Sequence, residues 1–180
     1  MLYTIEEHQH RFAAWAASTA AAASKLCRFK VYQGIEILED CGFNASFASP
    51  VNLPIPADID ATHRHWREAV IAAARDRGLP YTHGVAAKLI NCYLKVRFVC
   101  GGHYDNERVK CLHPPIDEVL LKSLAVDNFG DKGKEWRKFR MSRWSRFDSA
   151  TYERVIAHIR NTLPTDAPLW KIEEHWRGHQ

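Results

Sequence analysis

The sequence predicts an all-α protein. Apolar residues recur at intervals of three and four along most of the 180 residues, alternating strand patterns are scarce, and Gly or Pro punctuates the periodic stretches. The length suits a single helical domain over 1–180. Hydrophobic residues at 46% and charged residues at 26% supply a core and exclude a disordered chain.

The first helix is expected over 5–24, with Ile5, His8, Phe12, Trp15 and Thr19 as its recurring face and alanines favouring the conformation. A second follows over 30–41, with Val31, Ile35 and Leu38 on one side and Gly42 as its stop. Pro50, Pro54 and Pro56 make 44–59 an extended loop. Asp60 or Thr62 then caps a helix running to Arg77, in which Trp66, Val70, Ala73 and Ala74 form the buried side and Gly78 the exit. After a tight connection over 79–84, the pattern predicts a helix over 84–99. Its end, "RFVCGG", reads less well as a short strand because it continues the helical spacing. A polar loop leads from Gly102 to Leu112, and the next helix begins near Pro114 or Pro115, where a missing N–H costs nothing. Further helices are expected over 133–141, 148–163 and 168–177, the second opened by Asp148 or Ser149.

The apolar run over 12–23 is too short to span a bilayer and lacks the order of a signal peptide, so a cytoplasmic protein without a membrane partner is expected. Five cysteines at no framework spacing indicate reduced thiols. There is no Gly-rich phosphate loop, no nucleophile elbow and no His-Glu-x-x-His helix, which argues against nucleotide hydrolysis and zinc proteolysis. Cys100, His103, Cys111 and His113 are near one another, but the second pair has the wrong separation for a closed zinc site. No metal and no cofactor is expected.

The net charge of +4 is unevenly placed: over 131–147, seven cations oppose two acids for a local +5, leaving the rest of the chain at −1. Lys132, Lys134, Arg137, Lys138, Arg140, Arg143 and Arg146 are interleaved there with Trp136, Phe139, Trp144 and Phe147. Cations at this density suit phosphates, and an exposed ring such as Trp144 suits stacking on an unpaired base. The aromatics also have the helical spacing of core residues, the commoner use of such a pattern.

Lys88 sits among Val85, Ala86, Leu89, Ile90 and Cys92, so its amine is expected to be partly desolvated. Desolvation lowers a lysine's proton affinity and makes it a usable nucleophile. Asp117 is expected in the first turn of the helix after Pro114-Pro115, where the helix N-terminus favours an ionised carboxylate. From residue types alone, a lysine that reaches water along its own stem and an aspartate that caps its helix are the commoner account of both residues.

The run "LPYTHGVAAKLINCYL", followed by "HPPIDEVLL", resembles the active-site region of the helix-hairpin-helix DNA glycosylases, especially the 8-oxoguanine branch. The resemblance covers about a fifth of the chain and departs from the family pattern in the hairpin, where Ala86 replaces a glycine, and in a longer interval between lysine and aspartate. It implies a compact helical glycosylase core, with Gly84 ending a phosphate-binding hairpin, Lys88 as a Schiff-base nucleophile and Asp117 as its acidic partner. His83, Asn91 and His113 then become pocket residues. The implied partner is DNA, with RNA or a nucleotide as the nearest substitutes, and the implied reaction is excision of a damaged or modified base. The other expectation is a non-catalytic helical subunit of a bacterial defence or repair system that binds a protein partner.

Overall fold

In a computed structural model that describes residues 3–24 and 26–178, the chain is all-α and no strand is present among the described residues. The elements are α1 (Ile5–Ala22), α2 (Val31–Asp40), α3 (Ile59–Asp76), α4 (His83–Leu94), α5 (Glu107–Lys110), α6 (Glu118–Val126), α7 (Gly133–Met141) and α8 (Ser149–Arg160). A π-helix (Lys95–His103) extends α4, and a 3₁₀ helix (Leu169–His175) closes the chain.

Each start has a local cause. Thr4, Thr82, Asp117 and Asp148 have extended backbones and accept from the amides of Glu7, Val85, Leu120 and Thr151, capping α1, α4, α6 and α8. Gly42 and Gly78, at φ of 85° and 69°, take the left-handed conformation that ends α2 and α3. The stretch "KVRFVCGGH" is neither strand nor ordinary α-helix: it widens into a π-helix that stops at Gly102, φ 91°. Pro114, Pro115 and Ile116 lie outside α6, so the helix begins later than the prolines alone indicate, at Asp117.

Helix α4 organises the core. Gly84 to Asn91 are all buried, as are Tyr93 and Leu94, so the helix has almost no solvent face. One apolar cluster, including Ala13, Ala17, Ile37, Leu38, Phe43 and Val70, takes in Leu89, Ile90 and Tyr93 of α4. A second, including Leu120, Leu124, Trp136, Tyr152, Val155 and Ile156, takes in Ala87 from another side of the same helix. Trp144 packs against both. The aromatics of the basic stretch are thus largely core: Trp136 and Phe147 are buried and Trp136 donates Nε1–H to the Phe129 carbonyl at 3.0 Å.

The buried side of α1 differs from the expected one. Ala13, Ala14, Ala17 and Ala21 are fully buried with His10 and Ser18, while Ile5, Phe12 and Trp15 are 62%, 56% and 50% exposed. Small side chains let α1 approach α4 closely, a packing that the larger residues would obstruct. Arg97, buried in the π-helix, fixes the proline-bearing loop to α1. It donates to the carbonyls of Glu6, Ala45 and Phe47 at 3.0, 2.9 and 3.3 Å and to Gln9 Oε1 at 3.0 Å.

This packing makes α1 a discriminating test. Ala17→Leu should lower stability by about 1–3 kcal/mol through overpacking, whereas Phe12→Ser should stay within about 0.5 kcal/mol of wild type in urea denaturation. Equal effects would place the buried face of α1 wrongly.

Candidate functional site

Lys88 and Asp117, 29 positions apart, meet with Lys88 Nζ 2.9 Å from Asp117 Oδ2. Both side chains are largely buried. The aspartate is the N-cap of α6 rather than a first-turn residue, and it does two jobs with two oxygens. Oδ1 accepts the Leu120 amide at 2.9 Å, while Oδ2 accepts from Lys88 and from Trp176 Nε1 at 3.0 Å. The cap therefore fixes the rotamer that presents Oδ2 to the lysine.

The pair borders an open pocket of about 220 Å³ lined by Ala16, Ala20, Cys92, Lys95, Glu173 and Trp176, among others. Lys88, Cys92 and Lys95 reach it as an i, i+4, i+7 stripe of α4 and its π extension. Opposite them, Glu173 of the 3₁₀ helix forms a second ion pair with Lys95. Two cations and two carboxylates thus share one small site.

The electrostatics correct the expected lysine. Burial works to lower the proton affinity of Lys88, but Cys92, Asp117 and Glu173 outweigh it and raise the pKa above the ordinary lysine value. Asp117 is opposed by burial too, yet the charge of Lys88, the Leu120 amide and Trp176 hold it below the usual carboxylate range. At neutral pH the pair is ammonium and carboxylate. Glu173 moves the other way, pushed up by burial despite Lys95. Two carboxyls in one pocket with opposite shifts are the arrangement expected of a fixed anion and a proton carrier.

His83, Asn91 and His113 do not line this pocket. Asn91 lies off the Lys88 stripe and turns into the interior, where Nδ2 donates to Tyr152 Oη and the Pro114 carbonyl, both at 2.9 Å. Its Oδ1 accepts from His63 Nε2 at 2.7 Å. Tyr152 donates in turn to His113 Nδ1 at 3.1 Å, and His113 Nε2 donates to Asp60 at 2.8 Å, with Arg160 bridging that carboxylate. His63 is fully buried and stacks on Tyr152 with centroids 5.4 Å apart. His83 instead meets Arg67 at 3.2 Å, a buried guanidinium whose other contacts are Ser149, Glu153 and the face of Tyr152. Glu153 is consequently held at about 2, chiefly by Arg64 and with help from Ser149 and Arg67. This network joins α3, α4, α8 and the segment before α6.

Gly84 is also placed otherwise than a phosphate-binding hairpin requires. It is buried, its N–H donates to the Phe147 carbonyl at 3.1 Å, and a Cβ there would lie 1.8 Å from the Trp144 carbonyl oxygen. The glycine serves close approach of backbone to backbone. Among the cations of 131–147, Lys132 donates to the Asn161 carbonyl and Thr162, and Arg140 pairs with Glu118 at 2.6 Å. Among the described residues, Lys134, Arg137, Lys138, Arg143 and Arg146 have no carboxylate within ion-pairing distance. All five are exposed.

Glu173, Trp176 and Lys95 join the site without any local signal in the sequence, since each belongs to it only through packing of the C-terminal segment on α4. The five thiols are free, and among the described residues no group of three His, Cys, Asp or Glu side chains converges as a metal site. Among the described residues, no helix is long and apolar enough to cross a membrane. No protein-family model, curated protein or solved structure matches the chain.

Two measurements follow from these geometries. Lys88→Met should cost roughly 3–5 kcal/mol because it strands a buried carboxylate. Asp117→Asn in that background should recover part of the loss, with a coupling of about 1–3 kcal/mol in urea denaturation; additive losses would refute a working ion pair. His63 and His113 both have lowered pKa values, burial being the main cause, so they fold neutral. Their contribution is fully present above the unfolded histidine pKa of roughly 6.5 and is lost as pH falls below it, at up to about 1.4 kcal/mol per pH unit for each. Stability should therefore drop between pH 7 and 5, and His63→Gln should flatten that slope; an unchanged slope would place the acid sensitivity elsewhere.

Proposed function

We propose that the protein binds nucleic acid and excises a base from DNA through a Schiff base on Lys88, in the manner of the glycosylases its motifs resemble. The observation that carries this reading is the 2.9 Å Lys88–Asp117 pair at the wall of an open pocket about one ring system in size. A second support is the set of unpaired cations over 131–147, which suits a phosphate backbone.

At rest Lys88 is charged and is not a nucleophile, so its proton must leave first. Glu173, with its raised pKa, is the acceptor at hand in the same pocket. The neutral amine then attacks C1′ of an extruded nucleotide. The N–C1′ bond forms as the glycosidic bond breaks, the departing base taking the bonding pair and the proton that Glu173 received. The C1′–O4′ bond then breaks, its pair and a proton from the nitrogen going to O4′, which leaves the C1′=N Schiff base. Asp117, kept ionised by its cap and by Trp176, stabilises the positive charge that develops on the sugar.

The charged resting state of Lys88 and the occupied Gly84 amide favour a second reading, a non-catalytic nucleic-acid or partner-binding subunit. One experiment separates the two. Wild-type protein incubated with duplexes carrying oxidised guanine or other base lesions, in the presence of borohydride, should give a covalent adduct. Lys88→Ala should abolish it while leaving DNA affinity within about threefold, and Glu173→Gln should reduce the adduct most near neutral pH. Absence of an adduct on every lesion, with DNA binding intact, supports the accessory subunit and rejects excision.

A further inference from the structure

A second cleft, of about 520 Å³, is built partly from residues next in sequence to those of the lysine pocket. It is lined by Ala23, Ser24, Leu26, Glu118, Arg140, Met141, Arg143, Trp144 and Ser145. The same two walls frame both hollows. Ala16 and Ala20 of α1 border the first and Ala23 and Ser24, just beyond that helix, the second, while Asp117 borders the first and Glu118 the second.

The lining of this cleft has two characters. Leu26 and Met141 expose 43% and 74% of their surface to it and its surroundings, and Trp144 adds part of an indole. Arg143 supplies a cation with no acidic partner among the described residues, since the other arginine of the cleft, Arg140, is held by Glu118. Arg143 also has a backbone at φ 59°, ψ 112°, outside the left-handed basin that a non-glycine residue tolerates. The turn that carries it is pinned from behind. Thr82 Oγ1 donates to the Ser145 carbonyl at 2.9 Å, and the Gly84 N–H donates to Phe147. Strain held in place by such anchors is characteristic of a side chain whose position is needed.

We infer that this cleft receives the unstacked nucleotide next to the one entering the lysine pocket, with its base against Leu26, Met141 and Trp144 and its phosphate on Arg143. The inference rests on the nucleic-acid reading above and assigns a strand path to it. A nucleotide extruded into the lysine pocket leaves its neighbour unstacked on that side, and the exposed face is one that apolar side chains can cover.

The test uses the full chain and a fluorescent oligonucleotide, single-stranded or as a duplex with one unpaired lesion site, in anisotropy titrations from low to moderate salt. Leu26→Ala and Met141→Ala should each weaken binding several-fold without changing the slope of log affinity against log salt. Arg143→Gly, which suits the backbone, should weaken it about tenfold and reduce that slope by about one. Thermal unfolding of each variant serves as the folding control. Should the three variants bind as wild type while removal of Lys134, Arg137 and Lys138 abolishes binding, the strand lies elsewhere; the inference then fails and the nucleic-acid reading survives. Wild-type protein that binds no nucleic acid at any salt sinks both. Loss of binding to a polyglutamate peptide, with oligonucleotide binding unchanged in the same variants, would assign the cleft to a protein partner and overturn the inference.

Discussion

The structure depends on one constraint, a central helix with almost no face left for water. Helix α4 is enclosed by α1, α2, α3 and α8 and by the turn at 144–147, and most of its side chains are apolar and small enough to allow that enclosure. Its buried polar side chains, Lys88 and Asn91, cannot be solvated and so must be satisfied by protein. Lys88 draws Asp117 to it. Asn91 draws His63, Tyr152 and the carbonyl of Pro114. Both sets of bonds lead to the segment 112–118, where an extended, proline-bearing stretch of backbone is buried over 112–116.

The two polar anchors have different characters. The Asn91 network runs through buried Asn91, His63, Tyr152 and His113 to the exposed Asp60–Arg160 pair, and its histidines are neutral. The Lys88 anchor opens on a pocket and concentrates charge there. Lys88 with Asp117 and Lys95 with Glu173 nearly cancel, so the pocket is electrically balanced when empty. On the proposed reading, chemistry there would disturb that balance, because a proton must leave Lys88 before its nitrogen can attack. The two carboxyls of the pocket are displaced in opposite directions, Asp117 down and Glu173 up.

Much of this was legible in the sequence for identifiable reasons. Helical periodicity, the glycines that end α2 and α3, and the caps at Asp148 and near Thr82 are local signals, and they located most of the helices. Where a helix buries its small rather than its large residues, periodicity misleads. In α1 the aromatic stripe read as the core face because hydrophobicity was weighed without regard to the distance of the neighbouring helix. The π-helix over Lys95–His103 was invisible as well, since the spacing of apolar residues there reads as a continued α-helix.

By itself, the sequence determined the fold class, the desolvated setting of Lys88, and an acid at the start of a later helix. These follow from residue type and short-range spacing, which act within a few turns of chain. Only the tertiary structure decided that the lysine is held protonated, that Glu173 and Trp176 complete its pocket, and that His83, Asn91 and His113 belong to an interior network instead. Proton affinity and pocket membership depend on charges and walls brought together from distant parts of the chain, and no local pattern encodes the side to which a buried residue will turn.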